Sequence, residues 1–279
     1  MSTVAHSQVS GIPDDSRAAV RLEANHAGAS EWLGHRLIWL PSLLVSWIVA
    51  NIGALLVAAG MIGLGFLTTR VLLSIQAVAD ADAWLPTWFE AHRTPLLNDV
   101  SYAASMMAHA PILIPLVGLV ALSLVLRRRW RMASFPVQAA LAEVLAYGVT
   151  VAFVVRVRPD VDRLDTFNTY HSFPSGHVAA SIAVYGSLAL LLTAHVRAKW
   201  ARLVIWIVAG AIPVVVAWSR IYRGNHHPID VLAGALMGIG TLLGALFAAR
   251  TARTVAELRA TKRAARNLAP SPAVAKGQA

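Results

Sequence analysis

The stretch SRIYRGNHHPID, residues Ser219–Asp230, gathers two arginines, two histidines and an aspartate within twelve residues. Pro228 is predicted to be the first residue of a helix, because proline is favoured there, and Asp230 then falls in the first turn. His226 would lie at the mouth of this helix, with a carboxylate close enough to fix its tautomer. Helix N-termini favour anions. Arginine, histidine and aspartate together at such a place indicate phosphate chemistry with a histidine as nucleophile or acid–base catalyst.

The composition of the whole chain is that of a membrane protein. Of its 279 residues, 57% are hydrophobic and 14% are charged, whereas soluble domains carry about 25% charged residues. Because it has no cysteine, the chain has no disulfide, thiolate metal site or cysteine nucleophile. The net charge of +10 would suit nucleic acid, but basic loops on the cytoplasmic side of a membrane explain it better, so no nucleic-acid partner is expected.

The apolar runs predict the fold class, which is all-α: a polytopic membrane protein with a six-transmembrane-helix bundle. Residues 1–35 are predicted to be a polar N-terminal tail without a cleavable signal peptide. Residues 36–249 form the membrane domain, and residues 250–279 form a basic C-terminal tail. A polar loop is expected over Asp80–Asp99. The six spans are predicted at 43–67, 104–126, 135–155, 178–194, 203–218 and 229–249.

Basic residues predict the orientation of the bundle. Clusters follow the second and fourth spans, at Arg127–Arg131 and Arg197–Arg202, and the C-terminal tail is basic as well. Together with the N-terminal segment, this side of the membrane holds 17 of the 24 lysines and arginines. Cytoplasmic loops carry the excess of lysine and arginine, so both termini are predicted to be cytoplasmic. The segments 156–177 and 219–230 then meet at the outer face of the cytoplasmic membrane, where an active site is expected.

Several arginines at that face suit a phosphate group. Arg158 and Arg220 would present planar donor forks to phosphate oxygens. Arg156 and Arg223 are auxiliary candidates for the same task. An arginine at the end of a span is also a common lipid-headgroup anchor, and this is the alternative for Arg156.

Two histidines divide the chemistry between them. His177 and His226 come from different spans, so one can attack phosphorus while the other protonates the leaving oxygen. Asp230 is predicted to orient His226 and to stabilise its charged form. Ser175 is a good N-cap, and Gly176 allows the backbone to approach an anion at the start of a helix.

A metal site is an alternative use of the same side chains. Histidines and a carboxylate are good ligands for a divalent cation. Three or more arginines at the same place would repel such a cation. Neither a metal nor another cofactor is therefore expected. The candidate ligands are His171, His177, His226, His227 and Asp230.

At these residues the chain resembles the type 2 phosphatidic acid phosphatase superfamily, membrane lipid phosphatases related to vanadium haloperoxidases. The family pattern is Lys, six residues, Arg-Pro; then Pro-Ser-Gly-His; then Ser-Arg, five residues, His, three residues, Asp. The resemblance covers the six spans, residues 43–249. The second part is complete at 174–177, and the third is complete at Ser219, Arg220, His226 and Asp230.

The resemblance implies a role for each matching residue. His226 would be the nucleophile that forms a phosphohistidine, with Asp230 as its orienting partner. His177 would protonate the leaving group and then activate water. No metal is needed in this family. The phosphate oxygens would be held by Arg158, Ser175, the Gly176 amide and Arg220.

The first part of the family pattern is incomplete. Arg158 and Pro159 are present, but Val151 stands at the lysine position. On a continuous helix Val151 and Arg158 would share a face about 10 Å apart, and the nearby Arg156 would be left to supply the charge. Glu143 lies deeper in the same span, about 20 Å below Arg158 by helical rise, and a buried hydrogen bond is its expected role.

The expected function is hydrolysis of a lipid phosphate by a metal-independent membrane phosphatase. The substrate would be a polyprenyl phosphate or pyrophosphate, phosphatidic acid or phosphatidylglycerol phosphate, met in the lipid bilayer. Two alternatives stay open. One is a lipid phosphotransferase, because an alcohol can also resolve a phosphohistidine. The other is a catalytically weak lipid-phosphate-binding protein, because Val151 replaces the motif lysine.

Overall fold

A computed structural model describes residues 28–165 and 171–268 of the chain. Its regular structure is helical, with one short 3₁₀ turn at Leu72–Ser74 in that part of the chain. In chain order the helices are α1 (Ala29–Arg36), α2 (Ser42–Arg70), α3 (Gln76–Ala91), α4 (Pro95–Met106), α5 (Ala110–Leu126), α6 (Trp130–Phe153), α7 (Gly176–His195), α8 (Lys199–Tyr222) and α9 (Pro228–Leu268).

Six of the segments are long and apolar enough to cross a membrane, which confirms the predicted fold class. The second of them is built from two helices, α4 and α5, which meet at residues 107–109. Pro228 is the first residue of α9, as the sequence predicts. The six segments are Ser42–Ser74, Pro95–Leu126, Trp130–Phe153, Gly176–His195, Lys199–Tyr222 and Pro228–Asn267.

Two segments differ from the expected polar stretches. The predicted loop Asp80–Asp99 is largely helical, because α3 covers its first half and α4 begins at Pro95, capped by the Thr94 hydroxyl. Helix α9 runs past residue 249 without a break. Beyond that point Val255 is buried in a cluster with Leu33 of α1. The helix therefore keeps a packed apolar face past residue 249. The rest of the predicted tails, residues 1–27 and 269–279, lies outside the described residues.

Helix α9 packs against α2, α6 and α7. Two glycines let it approach α7 closely: a Cβ atom at Gly234 would collide with the Ser175 carbonyl group, and one at Gly238 would lie 2.6 Å from the carbonyl oxygen of Ala179. Packing within the chain therefore explains the small residues of the sixth span. This contact fixes the start of α7 against the first turns of α9, and both helix starts belong to the candidate site.

The opposite end of the bundle is basic. The connection between α5 and α6 carries Arg127–Arg131, and the connection between α7 and α8 carries Arg197. The two connections meet where Arg129 Nη1 lies 3.0 Å from His195 Nε2. Basic residues thus collect at the end of the bundle away from the starts of α7 and α9.

Candidate active site

A cavity of about 620 Å³ lies between α5, α6 and α7 and reaches the start of α9. Most of its wall is apolar and comes from α5 and α6. Its polar end receives residues from all three motif segments, so the fold brings together five side chains or amides that the sequence predicts as one site. These are Arg158, Gly176, His177, Arg220 and His226.

The cavity opens on the membrane-facing flank of the bundle. Ile114 of α5 and Leu141 and Val144 of α6 line it, and they are also 69%, 50% and 60% exposed. Apolar side chains that both line a cavity and are exposed mark its mouth. Because these residues lie within spans, the mouth faces lipid, and a lipid chain can enter between α5 and α6.

His226 lies in the turn before α9 and is buried. Its Nδ1 is 2.7 Å from the carbonyl oxygen of Ser172. A carbonyl only accepts hydrogen bonds, so Nδ1 carries the proton and Nε2 keeps a lone pair. Burial, followed by the positive charge of Arg220, lowers the pKa of His226 well below its usual value. The ring is therefore neutral at pH 7.

Asp230 is linked to His226 through Ser172 and makes no direct hydrogen bond to the ring. The nearest carboxylate oxygen is 3.9 Å from His226 Nδ1, which is too long for the direct bond that the sequence predicts. Asp230 instead accepts from the Ser172 hydroxyl and, at 2.8 Å, from the His227 N–H, as in a capping box. It thus holds the segment whose carbonyl orients His226. A main-chain carbonyl leaves no mark in a sequence, which is why the intermediary was not predicted.

Arg156 completes the layer behind His226. It is 6% exposed and donates to both Asp230 and Asp82. Asp82 also accepts from the Ile229 N–H at 2.9 Å, at the positive end of α9. With a carboxylate on either side, Arg156 neither lines the cavity nor reaches lipid headgroups. The sequence interpretations of Arg156 as a phosphate ligand or as a lipid-headgroup anchor are therefore both corrected. The two carboxylates already neutralise its charge inside the protein.

Arg220 and Arg158 are the two arginines on the cavity wall. Arg220 Nη1 donates to the Ser105 hydroxyl at 2.7 Å and to Asp165 at 2.8 Å. Its Nε is buried and has no hydrogen-bond partner within the described residues, which leaves a donor for a ligand. Arg158 donates to the Asn225 carbonyl at 2.5 Å. Burial lowers the pKa of Arg158, but a guanidinium stays charged in proteins.

Arg223, the second auxiliary candidate, supports a loop and is not part of the cavity wall. Its Nε donates to Asp165 at 2.7 Å, and its Nη1 donates to the Ser101 hydroxyl at 3.0 Å. Burial would raise the pKa of Asp165, but the hydrogen bond from Arg223 and the charge of Arg220 lower it overall. Asp165 therefore stays ionised and ties the 160–165 loop to the end of α8.

His177 is the second imidazole at the polar end of the cavity. Its Nε2 is buried and lacks a hydrogen-bond partner in the described part of the chain. The ring centroid lies 6.1 Å from that of His109, which also lines the cavity at the start of α5. The open nitrogen of His177 and the open Nε of Arg220 therefore belong to the same cavity.

The start of α7 places a backbone amide at the cavity. Ser175 is the N-cap, and its N–H donates to the Asp230 carbonyl at 2.9 Å. Its hydroxyl is buried without a partner among the described atoms, and Ser175 is not part of the cavity wall. Gly176 does line the wall, and a Cβ there would lie 3.0 Å from the ring of Tyr147. A larger residue at that position would therefore require the Tyr147 ring to shift.

Several site residues lie outside the motifs, and the sequence analysis does not identify them. Asp165 and Ser172 carry a weak signal, because they fall in the polar connection that contains a motif. The others are single polar residues in helices, or next to apolar runs, which have many structural uses. The residues missed are Asp82, His109, Tyr147, Asp165 and Ser172.

Val151 and Arg158 do not lie on one continuous helix. Helix α6 ends at Phe153, and Val154 is already extended. The expected 10 Å helical relation between Val151 and Arg158 is therefore wrong. Within the described structure, Val151 is not part of the cavity wall.

Comparison with known sequences extends these observations. The sequence profile of the PAP2 superfamily matches residues 135–254, a range that includes every complete motif. Phosphatidylglycerophosphatase B of Bacillus subtilis is 30% identical over 184 residues, which cover 62% of this chain and 86% of that protein. An undecaprenyl-diphosphatase of Sulfolobus acidocaldarius is 44% identical over 70 residues, which cover 25% of this chain and 30% of that protein.

A solved structure agrees with the sequence matches. The crystal structure of a transmembrane PAP2-type phosphatidylglycerolphosphate phosphatase from Bacillus subtilis aligns with a TM-score of 0.58 and 26% identity. The alignment covers 72% of this chain and 94% of that one. Matching motifs, matching sequence and matching fold confirm the family resemblance, and the chain belongs to the PAP2 superfamily.

Proposed function

We propose that the protein hydrolyses a lipid phosphate through a phosphohistidine intermediate on His226. The observation that carries the proposal is the cavity in which Arg158 and Arg220 meet three histidines, His177, His226 and His109, at the end of an apolar slot. The arginines suit the phosphate and the slot suits a lipid chain. Relatives named as lipid phosphatases support the same reaction class.

In the first step, Nε2 of His226 would attack phosphorus while the bond from phosphorus to the lipid oxygen breaks. His177, in its protonated form, would give its proton to that leaving oxygen. The products are a phosphohistidine and a lipid alcohol, or a lipid monophosphate if the substrate is a diphosphate. Arg158 and Arg220 would hold the equatorial oxygens, where charge builds up in the transition state.

In the second step, water would replace the lipid alcohol. The now neutral His177 would take a proton from water as the oxygen attacks phosphorus. The N–P bond breaks, phosphate leaves, and His226 returns to the neutral form with the proton on Nδ1, held towards the Ser172 carbonyl. Each histidine then has the protonation state with which the cycle began.

The charge of the phosphate would be met by arginines, so the proposed reaction needs no metal. Phosphate release should survive EDTA and should be inhibited by vanadate, a phosphate-like oxyanion. Loss of activity in EDTA that zinc or magnesium restores would contradict this part of the proposal.

We also propose that the site faces the outside of the cytoplasmic membrane. The support is the collection of basic residues at the opposite end of the bundle, because cytoplasmic loops carry the excess of lysine and arginine. A cysteine at exposed Asp162 of this cysteine-free chain should react with an impermeant maleimide in intact cells. A matched cysteine at exposed Lys199 should not, and the reverse pattern would invert the orientation.

Acid-quenched labelling tests the nucleophile directly. Wild-type protein incubated with a substrate labelled in the phosphate should yield an acid-labile, base-stable phosphoprotein. His226→Ala should yield none and should reduce turnover to background, a loss of about 10⁴-fold or more. An adduct that persists in His226→Ala but disappears in His177→Ala would show that the two roles are exchanged.

A further inference from the structure

Glu143 presents a carboxyl group to the cavity without any role in the proposed chemistry. It lies on α6, ten residues before the end of that helix at Phe153, which corresponds to about 15 Å along the axis. Only 4% of the residue is exposed, and it lines the same cavity as Arg158 and His226. Helical rise does not set its separation from Arg158, because the chain leaves α6 at Phe153.

Glu143 lacks the buried hydrogen bond that the sequence predicts for it. Across residues 28–165 and 171–268, no hydrogen bond or ion pair joins its carboxyl group to another residue. The same wall carries the apolar residues Ala140, Leu141 and Val144 of α6 and Leu113 of α5, together with Tyr147 of α6. Buried polar groups are nearly always satisfied, so this group is left for a polar atom of a ligand. An unpaired carboxylate would be costly there, and the neutral acid can donate a hydrogen bond.

The depth of Glu143 indicates which atom of a lipid it meets. Tyr147 is one helical turn nearer to the phosphate, and its ring packs beside Gly176 at the start of α7. One turn of helix rises about 5.4 Å. Glu143 therefore faces the part of the substrate that follows the phosphate ester by a few atoms. In a diacylglycerol phosphate that part contains ester carbonyls, which accept hydrogen bonds. In a polyprenyl phosphate it is already hydrocarbon.

We infer that Glu143 is a specificity residue whose neutral carboxyl O–H donates to an ester carbonyl of a diacylglycerol phosphate, and that the cavity therefore prefers such lipids to polyprenyl phosphates. The inference rests on the proposed function of the same site. A polyprenyl phosphate would leave the buried carboxyl unsatisfied, and an unsatisfied polar group is what makes such discrimination effective.

The test compares three lipids in mixed micelles: dioleoyl phosphatidic acid, its dialkyl ether analogue without carbonyls, and farnesyl phosphate. Wild-type protein should show a kcat/KM for the diester about tenfold or more above that for the diether. Glu143→Leu should lower kcat/KM for the diester by a similar factor, mainly through KM, and should leave farnesyl phosphate unchanged or faster. Glu143→Gln should restore the diester preference, because its amide N–H also donates.

A matched control separates recognition of the ester carbonyl from a change in the size of the cavity. Leu113→Ala enlarges the same slot without touching a polar group, so it should affect the three lipids alike. If Glu143→Leu behaves like this control, or if the wild type does not distinguish diester from diether, the inference is overturned. The wild-type comparison of diester with diether needs no variant, so it decides the matter even if Glu143→Leu fails to fold. Wild-type protein that releases phosphate from none of the three lipids would overturn the proposed function as well, whereas loss of discrimination in an active enzyme overturns the inference alone.

Discussion

The two sides of His226 differ in how completely their polar groups are satisfied. Behind the ring, Arg156 is held between two carboxylates, and Asp230 accepts from three donors, one of them at the start of its own helix. In front of the ring, Arg220 Nε and His177 Nε2 are buried without partners among the described residues. The chain has arginines on both sides, and among the described residues Arg220 in front keeps a buried N–H donor that a substrate can use.

This difference separates binding residues from supporting residues more sharply than residue type does. Four arginines fall in or near the motifs, and the sequence offers all four for the phosphate, with Arg156 and Arg223 as auxiliary candidates. Arg156 and Arg223 direct their donors to buried carboxylates, whereas Arg158 and Arg220 line the cavity. We therefore expect substitutions in front to affect catalysis and substitutions behind to affect stability.

The largest effect in front of the ring, after the loss of the nucleophile itself, is expected from His177→Ala. Loss of general acid catalysis typically slows turnover by about 10²–10⁴-fold. The loss should be large on a lipid alkoxide leaving group and much smaller for the first step with p-nitrophenyl phosphate, whose leaving group needs little protonation. Steady-state kinetics with the two substrates measure this, and equal losses on both would remove His177 from the proton transfer.

Arg220→Lys compared with Arg223→Lys tests the contrast between binding and supporting arginines directly. Both variants keep the charge and lose the planar fork. Arg220→Lys should slow turnover by about 10²–10³-fold, as the loss of one transition-state donor does. Arg223→Lys should lower the melting temperature and change turnover far less. Equal kinetic effects would contradict the assignment of Arg223 to the loop, and p-nitrophenyl phosphate hydrolysis together with thermal unfolding in detergent gives both readouts.

Asp82→Asn probes the layer behind the ring. It removes one charge beside buried Arg156 and should cost about 1–3 kcal/mol of stability, the usual range for a buried group that loses its partner. The phosphohistidine should still form, because His226 keeps its Ser172 contact. Turnover that slows by about 10²-fold at an unchanged melting temperature would instead place the layer in the chemistry, because this is about the smallest effect that loss of a catalytic donor produces.

The smallest effect concerns pH. The folded pKa of His226 is depressed, whereas an unfolded histidine has a pKa of about 6.5. Below about pH 6.5 the unfolded chain binds a proton that the folded protein does not, so stability falls as pH falls. This histidine contributes at most about 1.4 kcal/mol per pH unit, or about 3–6 °C in melting temperature. Melting curves at pH 7.5 and 5.5 should show a smaller decrease for His226→Gln than for the wild type, and parallel curves would contradict the depressed pKa.

Much of the fold follows from the sequence because its signals are local. Twenty apolar residues in a row must span a bilayer as a helix, and Pro228 marks a helix start wherever the helix lies. The motif residues are predicted to meet because three of their segments share one face of the membrane. Each of these steps needs only local sequence signals and the order of the spans along the chain.

The unpredicted parts depend on contacts between distant segments. Asp82 approaches Arg156 from α3, in a stretch that the sequence assigns to a loop, and Ser172 approaches His226 through a main-chain carbonyl. The place where α6 ends, at Phe153, decides whether Arg156 faces a phosphate or a carboxylate. No strong signal in the sequence marks Phe153 as the end of a helix. The partners of a charged side chain therefore had to come from the structure.

The opening between α5 and α6 has a kinetic consequence. A substrate that enters sideways from the bilayer never dissolves in water, so its effective concentration is its mole fraction in the membrane rather than its amount per volume. Diluting the substrate with inert lipid or detergent at constant bulk concentration would slow turnover, while hydrolysis of a water-soluble ester would not respond. For such an enzyme the abundance of neighbouring lipids sets the rate as directly as the amount of substrate does.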